Sequence, residues 1–249
     1  TLAKAYYETK KYEELNELKL ALVSYLLIKE FYQKKREKRY LGFISSLLSN
    51  HKFPENVKIF SWNYDFQFEL AITEIIKKSS ISFRFFPDKW SSVEGKVPVD
   101  LNLIHLNGIA ISHYDNRTGQ TKAKFEHFAS EIPPELDWLK FLRLLFMPGQ
   151  DIQNLTFAWE EADPINKVRN KLLEEYLSDT EILVVIGYSF PFFNRTTDNK
   201  IFELLSPTLK KIYFQDPFND GQFLRERYNL KIPIVHIKDA DSFHIPYEL

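Results

Sequence analysis

The chain of 249 residues is 44% hydrophobic and 16% aromatic, which is enough to bury the core of a single domain with an insertion. Its formal net charge of −1 gives no electrostatic case for binding nucleic acid. The absence of cysteine excludes disulfides, a cysteine nucleophile and a cysteine-ligated zinc. No apolar run approaches the roughly 20 residues of a membrane span and no signal peptide is apparent, so we expect a cytoplasmic protein without a membrane partner.

The pattern of apolar residues predicts an α/β protein in which residues 1–249 form one domain. The first 50 residues are predicted to be helical, because leucines recur at helical spacing and proline does not occur there. Residues 120–180 are predicted to be a helical insertion, with helices at 133–147 and 164–177. The predicted strands are 57–60, 81–86, 101–106, 109–112, 182–187, 211–216 and 232–237. Three more helices are predicted: one from the end of the first strand to Ser79, one that follows Asp198, and one at 219–229. Strands that alternate with helices predict parallel pairing with right-handed crossovers.

Polar residues follow three of the predicted strands at the point where each strand ends. The three segments are Trp62-Asn63-Tyr64-Asp65, Ile104-His105-Leu106-Asn107-Gly108 and Gly187-Tyr188-Ser189. Ligands of open α/β sheets bind at the carboxyl ends of the strands. We therefore expect the three segments to line one crevice.

These segments resemble those of sirtuin-like NAD-consuming domains, in the zinc-free branch known from bacterial anti-phage defence proteins. The matching residues are Trp62-Asn63-Tyr64-Asp65 with Glu69, Ile104-His105-Leu106-Asn107-Gly108, and Gly187-Tyr188-Ser189-Phe190 followed by Asp198. They occur in the family's order and at similar spacing, and the resemblance covers residues 60–240. It implies a three-layer, Rossmann-like parallel sheet whose first strand and glycine-rich phosphate loop lie ahead of Thr1.

The resemblance also implies an activity. The chain would be an NAD hydrolase that cleaves the nicotinamide–ribose bond as an effector of anti-phage defence, with NAD as its small-molecule partner and no zinc. Family members often act as oligomers, so a homo-oligomer or a defence partner protein is expected by analogy. The candidate catalytic residues are Asn63, Asp65 and His105. The candidate NAD-binding residues are Tyr64, Asn107, Gly108, Gly187, Tyr188, Ser189, Asp198 and Asp216.

The expected chemistry gives several of these residues a role. Cleavage of the bond passes through an oxocarbenium-like state, in which Asn63 would hold a water or a ribose hydroxyl. Asp65 would either hydrogen-bond the ribose or orient Asn63. His105 would act as a general base. Gly187 would let ribose or phosphate approach the backbone, and Asp216 has the position of a residue that holds an adenosine ribose.

The chain departs from the family pattern at the second segment. Where the family has a His-Gly pair, this chain has Asn107-Gly108, and His105 lies two residues earlier, on the same side of the strand and about 6.5–7 Å away. Either His105 substitutes for the missing histidine, or the chain is a catalytically degenerate domain that binds NAD or ADP-ribose, or that serves only in assembly.

Each candidate residue also has a purely structural interpretation. Asp65 and Asp198 are each suitable as the N-cap of a following helix. His105 is then a hydrogen-bonded histidine of the core, and Asn107-Gly108 is a tight turn. Gly187-Tyr188-Ser189 is then an ordinary loop between a strand and a helix. The sequence alone leaves both sets of interpretations open.

Overall fold

The computed structural model describes residues 2–33, 37–48, 53–65, 67–76, 84–86, 102–110, 112–115, 120–123, 155–157, 159–160 and 164–249. The α-helices are α1 (Leu2–Glu8), α2 (Tyr12–Gln33), α3 (Lys38–Leu47), α4 (Gln67–Ile76), α5 (Pro164–Leu177), α6 (Arg195–Leu205) and α7 (Phe223–Tyr228). The strands are β1 (Lys58–Ser61), β2 (Arg84–Phe86), β3 (Asn102–His105), β4 (Ser112–Asp115), β5 (Gln120–Ala123), β6 (Ile182–Ile186), β7 (Lys211–Gln215) and β8 (Ile234–Ile237). Within these residues, no helix is both long enough and apolar enough to cross a membrane.

The strands form two small parallel sheets and one hairpin among the described residues. One sheet has the order β1-β3-β2 and the other β6-β7-β8, and every pair of neighbours in both is parallel. Parallel neighbours need a crossover connection, and α6 and α7 supply those of the second sheet. The α/β class and the parallel pairing are therefore as predicted.

Side chains of β1 and β3 enter two different hydrophobic clusters. Ile59 and Leu103 pack with Ile44 of α3 and with α4. Their chain neighbours Phe60 and Ile104 join a cluster that includes residues of α5, α6 and β7. Because successive side chains of a strand point to opposite faces, this strand pair is covered on both faces. That burial explains why its sequence is apolar without alternation.

Most predicted strands are confirmed, with small shifts of their ends. The strands predicted at 57–60, 101–106, 182–187 and 211–216 are β1, β3, β6 and β7. The last strand begins at Ile234 rather than at residue 232, next to a proline that has no N–H to donate. The helix predicted at 219–229 is shorter, Phe223–Tyr228. The helix predicted at 133–147 lies outside the described residues.

The helical prediction for residues 120–180 is wrong at its start. Gln120–Ala123 is strand β5, which pairs antiparallel with Ser112–Asp115. Both strands are polar, so they carry no apolar period, and cross-strand hydrogen bonds that no local pattern reveals decide their structure. The prediction of a strand at 109–112 is also wrong for its first two residues. Ile109 and Ala110 are not in a strand, and they follow a turn in which Gly108 forms a β-bridge to Leu155.

The C-terminal segment covers one face of β7 and connects it to α3. The side-chain amide of Gln215 donates to the carbonyls of Asp239 and Ser242, each at 2.6 Å. Farther along, Phe243 packs edge-on against Tyr40 of α3 with ring centroids 5.0 Å apart. The second sheet is thereby attached to a helix that packs on the first.

Two glycines in different surroundings give a first prediction about stability. Gly221 has a φ of +72°, and a Cβ there would lie 2.5 Å from the Phe214 ring. Gly42 is exposed in the middle of α3, and a Cβ there would have no neighbour within 4 Å. We expect Gly221→Ala to lower the free energy of unfolding by about 2–3 kcal/mol, from backbone strain and overpacking.

Gly42→Ala is the matched control, because it adds the same methyl group at a helical position. It should raise the free energy of unfolding by about 0.5–1 kcal/mol. Urea unfolding followed by tryptophan fluorescence measures both. Equal effects of the same sign would show that the contact between Gly221 and Phe214 is not closely packed.

Candidate functional site

A cavity of about 940 Å³ lies between β1 and β6. Residues 57–63 form one wall and residues 181–188 the opposite wall, and α3, α6 and the C-terminal segment contribute further lining residues. At the carboxyl ends of the two strands, the cavity is lined by Trp62, Asn63, Tyr188 and Asp198, which we call the mouth. Leu106 also lines the cavity, so residues of all three polar segments reach it.

At the end of β1, Asn63 and Asp65 have different surroundings. Asn63 is exposed in the mouth, and its side-chain amide lies 3.4 Å from the hydroxyl of Tyr40, to which it donates. Asp65 accepts a hydrogen bond from the backbone N–H of Gln67, the first residue of α4, at 3.3 Å. Burial raises the pKa of the Asp65 carboxyl, and the hydrogen bond from Gln67 offsets part of that rise. Asp65 therefore has the contacts of an N-cap, and Asn63 is the one that faces the cavity.

His105 is buried and both of its ring nitrogens are hydrogen-bonded. Nδ1 lies 3.2 Å from the carbonyl oxygen of Asn63, which can only accept, so Nδ1 carries a proton. Nε2 lies 2.6 Å from a carboxylate oxygen of Glu69, which is itself fully buried. Burial alone would lower the pKa of His105, but the Glu69 carboxylate and the Asn63 carbonyl raise it, and the net shift is upward. Protein groups therefore occupy both ring nitrogens of His105, and neither is open to a ligand.

Asn107 connects the ends of two strands. Its side-chain amide donates to the carbonyl oxygen of Trp62 at 3.2 Å, and the residue is only 5% exposed. Gly108, the next residue, has a φ of 72°, a backbone conformation that favours glycine. The side-chain amide of Asn107 thus fixes the backbone beside Asn63.

The end of β6 contributes an open backbone and a phenol. Gly187 has a φ of +60°, and nothing lies within 4 Å of where a Cβ would be, so a ligand can approach the backbone there. The Tyr188 hydroxyl lies 3.0 and 3.1 Å from the two carboxylate oxygens of Asp198 and accepts from the Asn194 amide at 2.9 Å. Phe190 follows with a φ of 53°, which is strained for a residue with a side chain.

Asp198 is the acidic group of the mouth. Burial raises its pKa to about 7, although the hydrogen bond from Tyr188 and the charge of Arg227 lower it in part. It lies in the first turn of α6, whereas the N-cap residue of that helix is Asn194, so the N-cap interpretation of Asp198 is wrong. A carboxyl group that is half-protonated near neutral pH is a possible acid or base.

Other predicted site residues lie apart from the cavity. Asp216 accepts hydrogen bonds from the backbone N–H groups of Phe218 and Asn219, each at 2.8 Å, and so stabilises the turn after β7. Ser189 is exposed but does not line the cavity. Tyr64 packs edge-on against Phe157 in the core, where burial raises its pKa. Nothing in these contacts points to a ligand.

Sequence reasoning did not identify an aromatic pair across the mouth. The rings of Trp62 and Tyr188 are nearly parallel, 10° apart in plane angle, with centroids separated by 5.3 Å. The sequence did carry a signal for this pair, because an aromatic residue follows each of two predicted strands. The Tyr40 hydroxyl beside Asn63 had no such signal, because it comes from a helix 23 residues away in the sequence.

Comparison with known proteins does not assign a function to this site. No protein-family model and no curated protein matches the chain. In the part of the chain that the structure describes, no three His, Asp or Glu side chains are grouped so that they could hold a metal ion. The site therefore has to be interpreted from its own donors, acceptors and aromatic surfaces, which suit a ligand with flat rings and several hydroxyl groups.

Proposed function

We propose that the chain binds a nucleotide of the NAD or ADP-ribose class at the mouth of the cavity. The observation that carries the proposal is the exposed amide of Asn63, placed next to the Trp62–Tyr188 pair. The mouth lies at the carboxyl ends of parallel strands, where α/β sheets bind nucleotides. The resemblance of the three polar segments to sirtuin-like domains favours the same ligand class and a three-layer, Rossmann-like arrangement.

The residues of the mouth match the parts of such a nucleotide. The amide of Asn63 would hydrogen-bond ribose hydroxyls, with Tyr40 holding the amide in place. Gly187 would allow a phosphate or ribose to contact the backbone. The stacked Trp62–Tyr188 pair would give a flat base an aromatic surface beside which to pack. Burying a flat ring against aromatic faces provides affinity, and the hydrogen bonds provide orientation.

Binding rather than turnover is the function that the contacts of His105 and Asn107 support. Both ring nitrogens of His105 are hydrogen-bonded within the protein, and His105 does not line the cavity, so it is not placed to take a proton from water or ribose. Asn107 uses its amide to hold the carbonyl of Trp62. Both residues position the backbone around Asn63, which a binding site requires as much as an active site does.

Hydrolysis of NAD, as in an effector of anti-phage defence, is a second candidate, and Asp198 is the observation that favours it. Its pKa of about 7 and its place in the cavity wall suit a general base. In that reaction, a water held by Asn63 would add its oxygen to the ribose carbon as the bond to nicotinamide breaks. Asp198 would take the proton of the water, and nicotinamide would leave as a neutral molecule.

The variant Asn63→Ala tests the proposal. Because Asn63 is exposed, we expect its replacement to leave the unfolding temperature nearly unchanged. NAD binding should weaken at least about tenfold, which corresponds to the loss of about one hydrogen bond between uncharged groups. Calorimetric titration with NAD measures the affinity. Asn199→Ala, at an exposed position of α6 outside the cavity, is the matched control and should bind as the wild type does. Unchanged affinity in Asn63→Ala would refute the placement of the ligand.

A further inference from the structure

The hydroxyl group of Tyr40 lies at the mouth and has a proton to donate. Tyr40 lines the cavity from α3 and is only 9% exposed. Its oxygen accepts a hydrogen bond from the side-chain amide of Asn63 at 3.4 Å, and among the described residues the hydroxyl has no other hydrogen-bond partner. A phenol can donate as well as accept. Within the part of the chain that the structure describes, the proton of this hydroxyl therefore has no acceptor.

Aromatic neighbours hold the ring of Tyr40 in one orientation. It packs edge-on against Phe68 of α4, with ring centroids 4.6 Å apart, and against Phe243 of the C-terminal segment at 5.0 Å. A side chain that is ordered before a ligand arrives loses little rotamer freedom when the ligand binds. The hydroxyl of Tyr40 is therefore a donor whose position is fixed in advance.

The phenol of Tyr40 keeps its proton at neutral pH. Burial raises its pKa to about 12, and the charge of Asp65 adds to the rise, although the hydrogen bond from Asn63 lowers it in part. Asp65 accepts from the backbone N–H of Gln67 and shares no hydrogen bond with Tyr40. Buried polar hydrogens normally have a partner, so water or a ligand supplies the acceptor for this one.

Charged groups distinguish the two sides of the mouth. Arg39, the residue before Tyr40 in α3, lines the cavity, whereas Glu37, which lies 3.2 Å from its Nε, does not. Asp198 lies on the other side, where its carboxylate is bonded to Tyr188 of the opposite wall. An anionic group of a ligand is attracted toward the side with Arg39 and repelled by Asp198 when that carboxyl is ionised.

We infer that the Tyr40 hydroxyl donates a hydrogen bond to a phosphate oxygen of the nucleotide bound at the mouth. The inference rests on the proposed function and adds an orientation to it. Phosphate oxygens are strong acceptors, which suits a donor that has none. The side-chain oxygen of Asn63 remains available to accept from a ribose hydroxyl. The phosphates then lie on the α3 side of the mouth, and the base lies beside the Trp62–Tyr188 pair.

The variant Tyr40→Phe tests the inference, because it removes the hydroxyl and keeps the ring between Phe68 and Phe243. We expect it to bind ADP-ribose at least about tenfold more weakly than the wild type, as measured by calorimetric titration. Tyr7→Phe is the matched control, since it removes the same atom from a ring of α1 that packs on Trp159 outside the cavity. It should bind as the wild type does. An affinity of Tyr40→Phe within about threefold of the wild type would overturn the inference.

Phosphorus NMR of the saturated complexes shows which part of the ligand the hydroxyl contacts. ADP-ribose has a pair of phosphorus atoms with separate resonances. We expect at least one resonance of the bound ligand to differ between the wild type and Tyr40→Phe, and neither to differ between the wild type and Tyr7→Phe. Unchanged phosphorus resonances together with a weaker affinity would assign the hydroxyl to ribose, and this result would also contradict the inference.

The inference and the proposed function fail in different ways. If the wild type binds neither NAD nor ADP-ribose, the nucleotide site itself is refuted, and the role of Tyr40 with it. If the wild type binds ADP-ribose and Tyr40→Phe binds it equally well, the nucleotide site stands and only the contact between Tyr40 and phosphate is refuted.

Discussion

Lys19→Met is expected to lower the free energy of unfolding by about 3–5 kcal/mol. Lys19 of α2 donates to a carboxylate oxygen of Glu160 at 2.7 Å, and their side chains are only 8% and 3% exposed. The same oxygen accepts from the hydroxyl of Thr156 at 2.9 Å and from the backbone N–H of Phe157 at 3.2 Å. Methionine keeps the length of the side chain but leaves the carboxylate buried without its cation.

The control for Lys19 is a lysine–glutamate ion pair at the surface with the same distance between its nitrogen and oxygen atoms. Lys200 of α6 lies 2.7 Å from Glu174 of α5, with side chains 32% and 58% exposed. Because water screens this pair, Lys200→Met should change the stability by less than about 1 kcal/mol. Urea unfolding of both variants separates burial from bond length. Equal losses in the two variants would mean that the Lys19 pair is solvated.

The double variant Lys19→Met with Glu160→Gln tests the reason for the expected loss. If the cost comes from an unpaired buried charge, removing the carboxylate charge as well should restore part of the stability. A double variant as unstable as the sum of both single variants would instead assign the loss to packing.

Glu69→Gln is expected to have the second large effect, and this effect depends on pH. The raised pKa of His105 means that folding favours the imidazolium, which the buried Glu69 carboxylate stabilises. The stability contributed by this proton is fully present below the pKa of an unfolded histidine, about 6.5, and is lost as the pH rises through the higher pKa of the folded state. We expect Glu69→Gln to cost about 3 kcal/mol at pH 6, where the buried imidazolium loses its carboxylate, and less at pH 9.

Urea unfolding at pH 6, 7, 8 and 9 measures this dependence. The wild type should lose stability between pH 6.5 and the more alkaline values through the His105 contribution, and Glu69→Gln should lack that slope. Glu74→Gln, on the same helix and more exposed, is the control and should keep the slope of the wild type. A loss in Glu69→Gln that is the same at every pH would show that the proton on His105 does not distinguish the folded from the unfolded state.

The strands of the two parallel sheets could be predicted because burial on both faces requires a run of apolar residues. The strands Ile182–Ile186 and Lys211–Gln215 coincide with apolar runs, and each ends just before a glycine or a polar residue. The hairpin of β4 and β5 could not be predicted in this way. Its two strands, Ser112–Asp115 and Gln120–Ala123, are largely polar, so their structure depends on pairing between strands and leaves no period in the sequence.

The candidate site could be located from sequence but its contacts could not. Polar residues at strand ends correctly indicated that Asn63 and Tyr188 line one cavity. The partner of His105 is a carboxylate 36 residues away, and only the packing of α4 on β3 brings the two together. Lys19 had a weak signal, since it lies four residues from Leu15 and four from Val23, both buried, in one row of α2.

Titration of the native-length protein with NAD by calorimetry, with nicotinamide assayed in the same samples, tests the central claim most directly. The proposal predicts saturable binding at one site per chain, competition by ADP-ribose, and no release of nicotinamide. Binding with release would replace it by the hydrolase and would make Asp198 the next residue to change. The absence of binding by both NAD and ADP-ribose would contradict the assignment of the mouth between β1 and β6 as a nucleotide site.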